Sequence, residues 1–246
     1  MFNIFLWINI KILLPLTAFG FLMGILRKTA YNNFWRKTRN YLLIDLFNLI
    51  GTPVHETGHL LFGLLFGYRP DQICLYRTMR SAKAHGGTLG FVKMHHRRGK
   101  GLSRLQENLG LFFMGIGPLL FGPAFLWLCS RFLPETLRSL PSLAAEDIPG
   151  AFQAVRGLSW KDYLLLALFV YLMIGVSVNM ELSRQDLTVA AGGFLLLELI
   201  FLLFSAACSF LYPDALSLID QAFHSLVFLA GIGIICGLSA NLLALI

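Results

Sequence analysis

Residues 48–67 read NLIGTPVHETGHLLFGLLFG. They sit inside an apolar run over 42–66, and about 20 such residues in a helix cross roughly 30 Å of hydrocarbon. Into this run the chain places His55, Glu56 and His59. Residues four apart on a helix project from one face, about 40° apart, so two imidazoles at that spacing can grip one metal ion. Glu56 follows about 100° round from His55, beside the ion, where it can take a proton from a bound water. Ionisable groups are costly at hydrocarbon depth and usually face a cavity that uses them. Gly51, Thr52 and Pro53, one turn earlier, are expected to loosen this helix and free backbone groups. Asn48, two turns before His55 on the same face, is a candidate for positioning substrate or holding water.

The remainder of the chain is equally apolar. Of 246 residues, 57% are hydrophobic and 13% charged, and the mean hydropathy is +0.69. A soluble domain of this length needs far more polar surface. Runs at 5–26, 42–66, 109–132, 163–178, 188–211 and 223–245 predict an all-α, polytopic membrane protein of six spans forming a single domain. Lys11 interrupts the first run and is expected to snorkel. That run is too long for a signal-peptide core and lacks an A-x-A-like site, which predicts a retained anchor.

The formal charge of +7 does not point to nucleic acid. The cations lie in short loops beside the spans, where they orient the protein and meet the anionic lipid of the bilayer. Cys74, Cys129, Cys208 and Cys236 are far apart, with no C-x-x-C pair. Neither a disulfide framework nor a cysteine zinc site follows from them.

Two loops are large. Residues 67–104 hold nine Lys/Arg and predict a membrane-associated β-hairpin, with strands at 72–79 (QICLYRTM) and 88–94 (TLGFVKM) around Gly86-Gly87. His85, His95 and His96 in this loop are expected on solvated surface. Residues 133–161 contain Pro134, Pro141 and Pro149 and predict an external loop with a short helix or two. The positive-inside rule assigns the nine-cation loop to the cytoplasm, hence both termini too, and leaves residues 27–39, with five cations of their own, on the outside. Gly115, Gly117, Pro118, Gly122 and Pro123 in the third span are expected to let it approach the histidine helix closely.

A site of this kind needs a third protein ligand and keeps a fourth position open for water. Counting crossings brings the link 179–187 (NMELSRQDL) to the same side as the histidines, with Asp186 opening the fifth span at their depth. Glu181 is the nearest rival. Glu198 lies roughly 18 Å of helical rise beyond Asp186.

On these residues the sequence resembles the site-2-protease-like family of intramembrane zinc metallopeptidases. The resemblance rests on His55-Glu56-Thr57-Gly58-His59 inside a span, the β-prone loop after it, Gly115–Pro118 (GIGP) in the third span, and Asp186. It covers roughly residues 42–190. It implies a three-helix catalytic core, zinc held by His55, His59 and Asp186, Glu56 as the catalytic base, and cleavage of membrane-embedded protein segments. It also implies that the β-hairpin pairs with an unwound substrate strand. The family's second motif commonly reads Asn-x-x-Pro-x-x-Pro-Leu-Asp-Gly. Here NMELSRQDLTV keeps Asn179, as a weak substrate-positioning candidate, and Asp186, but lacks both prolines and the glycine. The chain also looks like bacterial membrane proteins with a GTPVHE-x-x-H span, which implies a bacterial inner membrane. Two alternatives stay open. One is a membrane zincin of the prenyl-protease or quality-control type, with Glu181 or Glu198 as third ligand; the other is a non-catalytic membrane scaffold that retains the motif.

Overall fold

The N-terminal apolar run meets no helix breaker at Leu26, so the helix continues well past it. The computed structural model of the protein describes residues 2–96, 102–211 and 215–245. Residues 97–101, part of the basic loop, lie outside the described residues. In chain order the elements are α1 (Phe2–Ile8), a π-helical turn (Asn9–Leu13), α2 (Leu14–Thr38), α3 (Leu42–Leu65), β1 (Tyr68–Cys74), α4 (Met79–Ala84) and β2 (Phe91–His96). Next come α5 (Leu102–Ser130), α6 (Glu135–Arg138), α7 (Leu140–Glu146), α8 (Ile148–Arg156), α9 (Trp160–Val178), α10 (Arg184–Leu211) and α11 (Ala215–Leu243). Pro15 has no N–H to offer the carbonyl of Lys11, and the π-turn sits just ahead of it.

Among the described residues, five helices are long and apolar enough to cross a membrane: Asn3–Thr38, Ser103–Ser130, Trp160–Val178, Arg184–Ser209 and Ala215–Leu243. Large apolar side chains such as Phe21, Leu195, Phe228 and Ile235 stand exposed on them, as lipid-facing surfaces require. The sixth expected span, α3, is not one of the five, because Asp45, Asn48, His55, Glu56 and His59 lower its hydropathy.

Registers fix the direction of each helix. Along α3, Tyr171 of α9 donates to the carbonyl of Leu46 and Asn179 meets His55, so α9 runs with α3. Gly58 packs on Pro118, and Gly63 lies near Met114, so α5 runs against α3. Gly115 packs on Asp186 and Ala190, and Gly193 on Asn108, so α10 runs against α5. Hence α9 and α10 point the same way, and residues 179–183 interrupt one helical path. They do not form the turn between two antiparallel spans that six crossings require. Consistently, the chain termini lie at opposite ends of the bundle: Ile4 and Ile8 pack with Ala215 and Ile219, while Lys37 bonds the carbonyl of Leu245.

The ribbon also differs from expectation. Gly67, at φ 81°, turns the chain directly out of α3, so β1 starts four residues earlier than 72. Thr78 caps α4 through a bond from the Ser81 amide, which ends the first extended stretch before Met79. Gly86 and Gly87, at φ 74° and 85°, then redirect the chain into β2. The two strands pair antiparallel from Tyr68↔His96 to Cys74↔Phe91, with a register shift between Pro70 and Gln72. The ribbon folds back along α3. Met94 touches Gly63, Gly90 touches Glu56, and the amide of Met79 bonds Asp45 Oδ1 at 2.6 Å. Tyr76 also donates to Asp45; burial, and then the Asp45 carboxylate, raises its phenol, so it remains a donor.

This path redistributes charge. Lys83 lies over Trp35 and Tyr41 at 5.1 and 4.8 Å, so the ribbon's tip joins Arg36, Lys37 and Arg39 at the start of α3. The tip of the nine-cation loop therefore shares an end with residues 27–39, while Arg69 and Arg104 stay at the other end of α3. Lys11 does not snorkel freely: it pairs with Asp220 and stacks on Trp7. Of the loop histidines, His95 pairs with Asp71 on the surface. The ring of His96 is buried against Tyr68 instead of solvated.

Small residues bring the central helices together. A Cβ at Gly58 would meet Pro118 Cα at 2.9 Å, and one at Gly115 would meet the Asp186 carbonyl at 2.6 Å. One at Gly51 would collide with the Gly175 carbonyl and the Asn179 amide. The helix stays α-helical through Gly51, Thr52 and Pro53, so Gly51 serves close approach and loosens nothing. Gly51→Ala is expected to destabilise by about 1–3 kcal/mol through overpacking, read as a lowered unfolding midpoint in detergent. Gly231→Ala, where a Cβ meets nothing within 4 Å, should leave the midpoint unchanged or raise it.

Candidate metal centre

Two helices deliver the donors. His55 and His59 come from α3, one turn apart, and Asp186 comes from the first turn of α10. The His55 and His59 Nε2 atoms lie 3.1 Å apart. Asp186 Oδ1 is 3.2 Å from His59 Nε2, and Oδ2 is 3.9 Å from His55 Nε2. Donors about 2 Å from one tetrahedral ion stand about 3.3 Å from one another, so the spacing suits a single ion. This group could hold a metal ion.

The far side of each ring is fixed. His55 Nδ1 donates to the Asn179 carbonyl at 2.6 Å, and His59 Nδ1 donates to the Met114 carbonyl at 2.6 Å. With the proton committed to Nδ1, each neutral ring turns its Nε2 lone pair inward. Two inward lone pairs and a carboxylate at these distances call for a shared positive charge, a metal ion or, in its absence, a proton on one Nε2. The donor set therefore fits a bound cation.

Asp186 is held by a reciprocal cap at the start of α10. Its Oδ2 accepts the Ser183 amide at 2.8 Å, while Ser183 Oγ accepts the Asp186 amide at 3.1 Å. Such a pair satisfies two orphan donors of the first turn. Asp186 lies beside the histidines, but the crossing count that nominated it does not describe the fold: an interrupted helix, and not a hairpin, brings it there. Glu181 is instead paired with Arg27, and Glu198 accepts a bond from Asn9 at 3.1 Å. Neither belongs to the metal group.

Glu56 is buried and, among the described residues, no donor holds its carboxylate. Gly90 lies against it: a Cβ there would meet Glu56 Cγ at 2.8 Å. The side chains of His55, Glu56, His59 and Asp186 open into a cavity of about 540 Å³, whose other wall is the ribbon from Gly87 to Lys93. Asn179 lines this cavity too. Asn48 does not. It is fully buried, and its Oδ1 accepts from Tyr31 at 2.6 Å and from Thr52 at 3.2 Å. Asn48 is a packing and relay amide, out of reach of a substrate in the cavity.

Sequence reasoning gave Thr52 a different role and missed Ser183, Arg27 and Tyr31. Ser183-x-x-Asp186 carried a readable signal, the capping-box spacing. Arg27 carried none, because its partner is 154 residues away.

No family model, curated protein or solved structure matches the chain.

Metal content per protein, measured after chelator washing and reloading, should fall from about one equivalent to background in His55→Ala and Asp186→Ala. Glu198→Ala should keep it.

Proposed function

We propose that the chain is an integral membrane zinc endopeptidase of the site-2-protease-like type, acting on membrane-embedded or membrane-anchored protein segments. The observation that carries this reading is the pair of imidazoles whose Nδ1 atoms are tied to backbone carbonyls, so that both Nε2 atoms face one carboxylate across a cation-sized gap. Two nitrogens and one oxygen are a protein donor set that would suit hydrolytic zinc, which keeps a fourth position for water. When bound there, zinc would act as a Lewis acid and lower the pKa of a coordinated water toward about 7.

The remaining steps belong to this chain. Glu56, next to His55 and without a donor on its carboxylate among the described residues, accepts the water's proton and passes it to the leaving amine. Glu56 is buried and the His55 and His59 side chains are 12% exposed, which limits the water around them and strengthens their electrostatic contacts. A helical substrate keeps its scissile carbonyl hydrogen-bonded, so it has to be extended before attack. Among the described residues the sheet has two strands, leaving β2 with one edge unpaired by β1, and residues 87–93 lie along the cavity wall. Strand addition at that edge would hold an extended segment beside Glu56. Gly90 lets the ribbon itself pack directly on Glu56 and Thr52, which a Cβ would meet at 2.8 Å.

In this reading α3 also crosses the bilayer, sheltered by α5, α9 and the ribbon. The α9–α10 path counts as one interrupted crossing, as broken helices at intramembrane sites do when their loose backbone lines a cavity. The bilayer is then the lipid partner of five helical passes.

Cleavage of single-span membrane proteins by the purified, zinc-loaded chain in detergent or vesicles tests the proposal, with Glu56→Gln as the blank. The substitution should cut the rate by about 10²–10⁴-fold and leave zinc bound. Equal cleavage by both proteins would rule out Glu56 as the base. Full function of Glu56→Gln in the native host would favour a non-catalytic scaffold.

A further inference from the structure

The five residues between α9 and α10 support the centre from both ends. Asn179, at the near end, offers its carbonyl to His55 Nδ1. Ser183, at the far end, caps α10 and orients Asp186. An irregular stretch that fixes two donors must itself be fixed, and this one has neither proline nor glycine to stiffen it. Its hold comes from α2, a helix outside the region of family resemblance. The Leu182 amide reaches the Gly20 carbonyl at 3.4 Å. A Cβ at Gly20 would press on Leu182 Cγ at 2.8 Å, and one at Gly24 would meet Glu181 Oε2 at 3.4 Å. Arg27 then pairs with Glu181. Gly20, Gly24 and Arg27 are spaced four and three apart, which makes one face of α2.

The guanidinium also joins the polar chain that leads to the histidine. Arg27 Nη2 lies 3.5 Å from Asn48 Oδ1, the acceptor shared by Tyr31 and Thr52. The Thr52 hydroxyl stands between Asn48 and Asn179, 3.3 Å from Asn179 Oδ1. The Asn179 side-chain amide donates to Gly175 at 2.9 Å. Both members of the ion pair are largely buried, with side chains 13% and 24% exposed. A pair at that depth is a poor source of stability, which makes a positional role the better account of its presence.

We infer that Arg27 is a positioning residue of the metal centre: through Glu181 and Asn48 it clamps the 179–183 interruption against α2 and α3, and so holds the Asn179 carbonyl on His55 and Asp186 on His59. This clamp deepens the zinc reading and rests on it for the affinity measurement.

The test compares zinc affinity, by competition with a chromophoric chelator, across wild type, Arg27→Met, Glu181→Met and the double variant. Each single change leaves a buried charge unpaired and risks misfolding. The double variant removes both charges and should keep a wild-type unfolding midpoint. It should nonetheless bind zinc about 10–100-fold more weakly, the usual cost of losing an outer partner of a metal ligand. Wild-type affinity in a folded double variant would overturn the inference. A second readout needs no metal. In ¹⁵N-histidine spectra of the zinc-free protein, His55 should be locked with its proton on Nδ1, and the double variant should show mixed tautomers. If the wild type takes up no zinc, the zinc reading fails and the tautomer result alone decides: mixing supports the clamp, and an unchanged lock overturns it.

Discussion

Two imidazole nitrogens facing each other at 3.1 Å, with a carboxylate oxygen 3.2 Å from one of them, are the constraint around which the molecule is built. Left without a metal ion, the arrangement needs a proton or a water to satisfy its lone pairs, in surroundings where unpaired polar groups are costly. Holding it requires that neither ring rotate, and each is pinned from behind by a backbone carbonyl. Those carbonyls belong to different elements: Asn179 at the end of α9 and Met114 within α5. The site therefore exists only while α3, α5, α9 and α10 keep their mutual register.

That register is kept by absent side chains as much as by present ones. Gly51 admits the end of α9, Gly58 admits Pro118 of α5, and Gly115 admits the start of α10. In a membrane, where lipid tails compete on equal terms with leucine for apolar contact, close backbone approach through small residues is the main means of fixing helices. Each of these three contacts lies within a turn or so of a metal donor. Fold and site are the same construction here, with polar backbone supplied both by the interruption at 179–183 and by Met114 within α5, four residues before Pro118.

His55, Glu56 and His59 were legible because their relation is local: four residues on a helix decide it. The membrane character was legible for a similar reason, since runs of apolar residues need no knowledge of partners. Asp186 could be nominated from its place after the link, but the direction of α10 could not. Nothing in residues 179–187 distinguishes a turn from an interruption until Gly115 and Gly193 show which way α10 packs. The strands shifted for a local cause that was partly readable, a Thr78 cap and a glycine at positive φ after α3. The end of α2 was not legible, because apolarity stops at Leu26 while helicity does not. Arg27, Glu181, Asn48 and Tyr31 form a network only in three dimensions, and no spacing rule predicts it.

Zinc-edge X-ray absorption on the purified, zinc-loaded protein would examine this centre most directly, because it counts and identifies the atoms around the ion. Two imidazoles and additional light oxygen donors at about 2.0–2.1 Å, with no sulfur, is the shell expected of His55, His59, Asp186 and a water. Sulfur at about 2.3 Å, from any of the four cysteines, or a shell without imidazole scattering, would place the ion elsewhere and contradict the centre described.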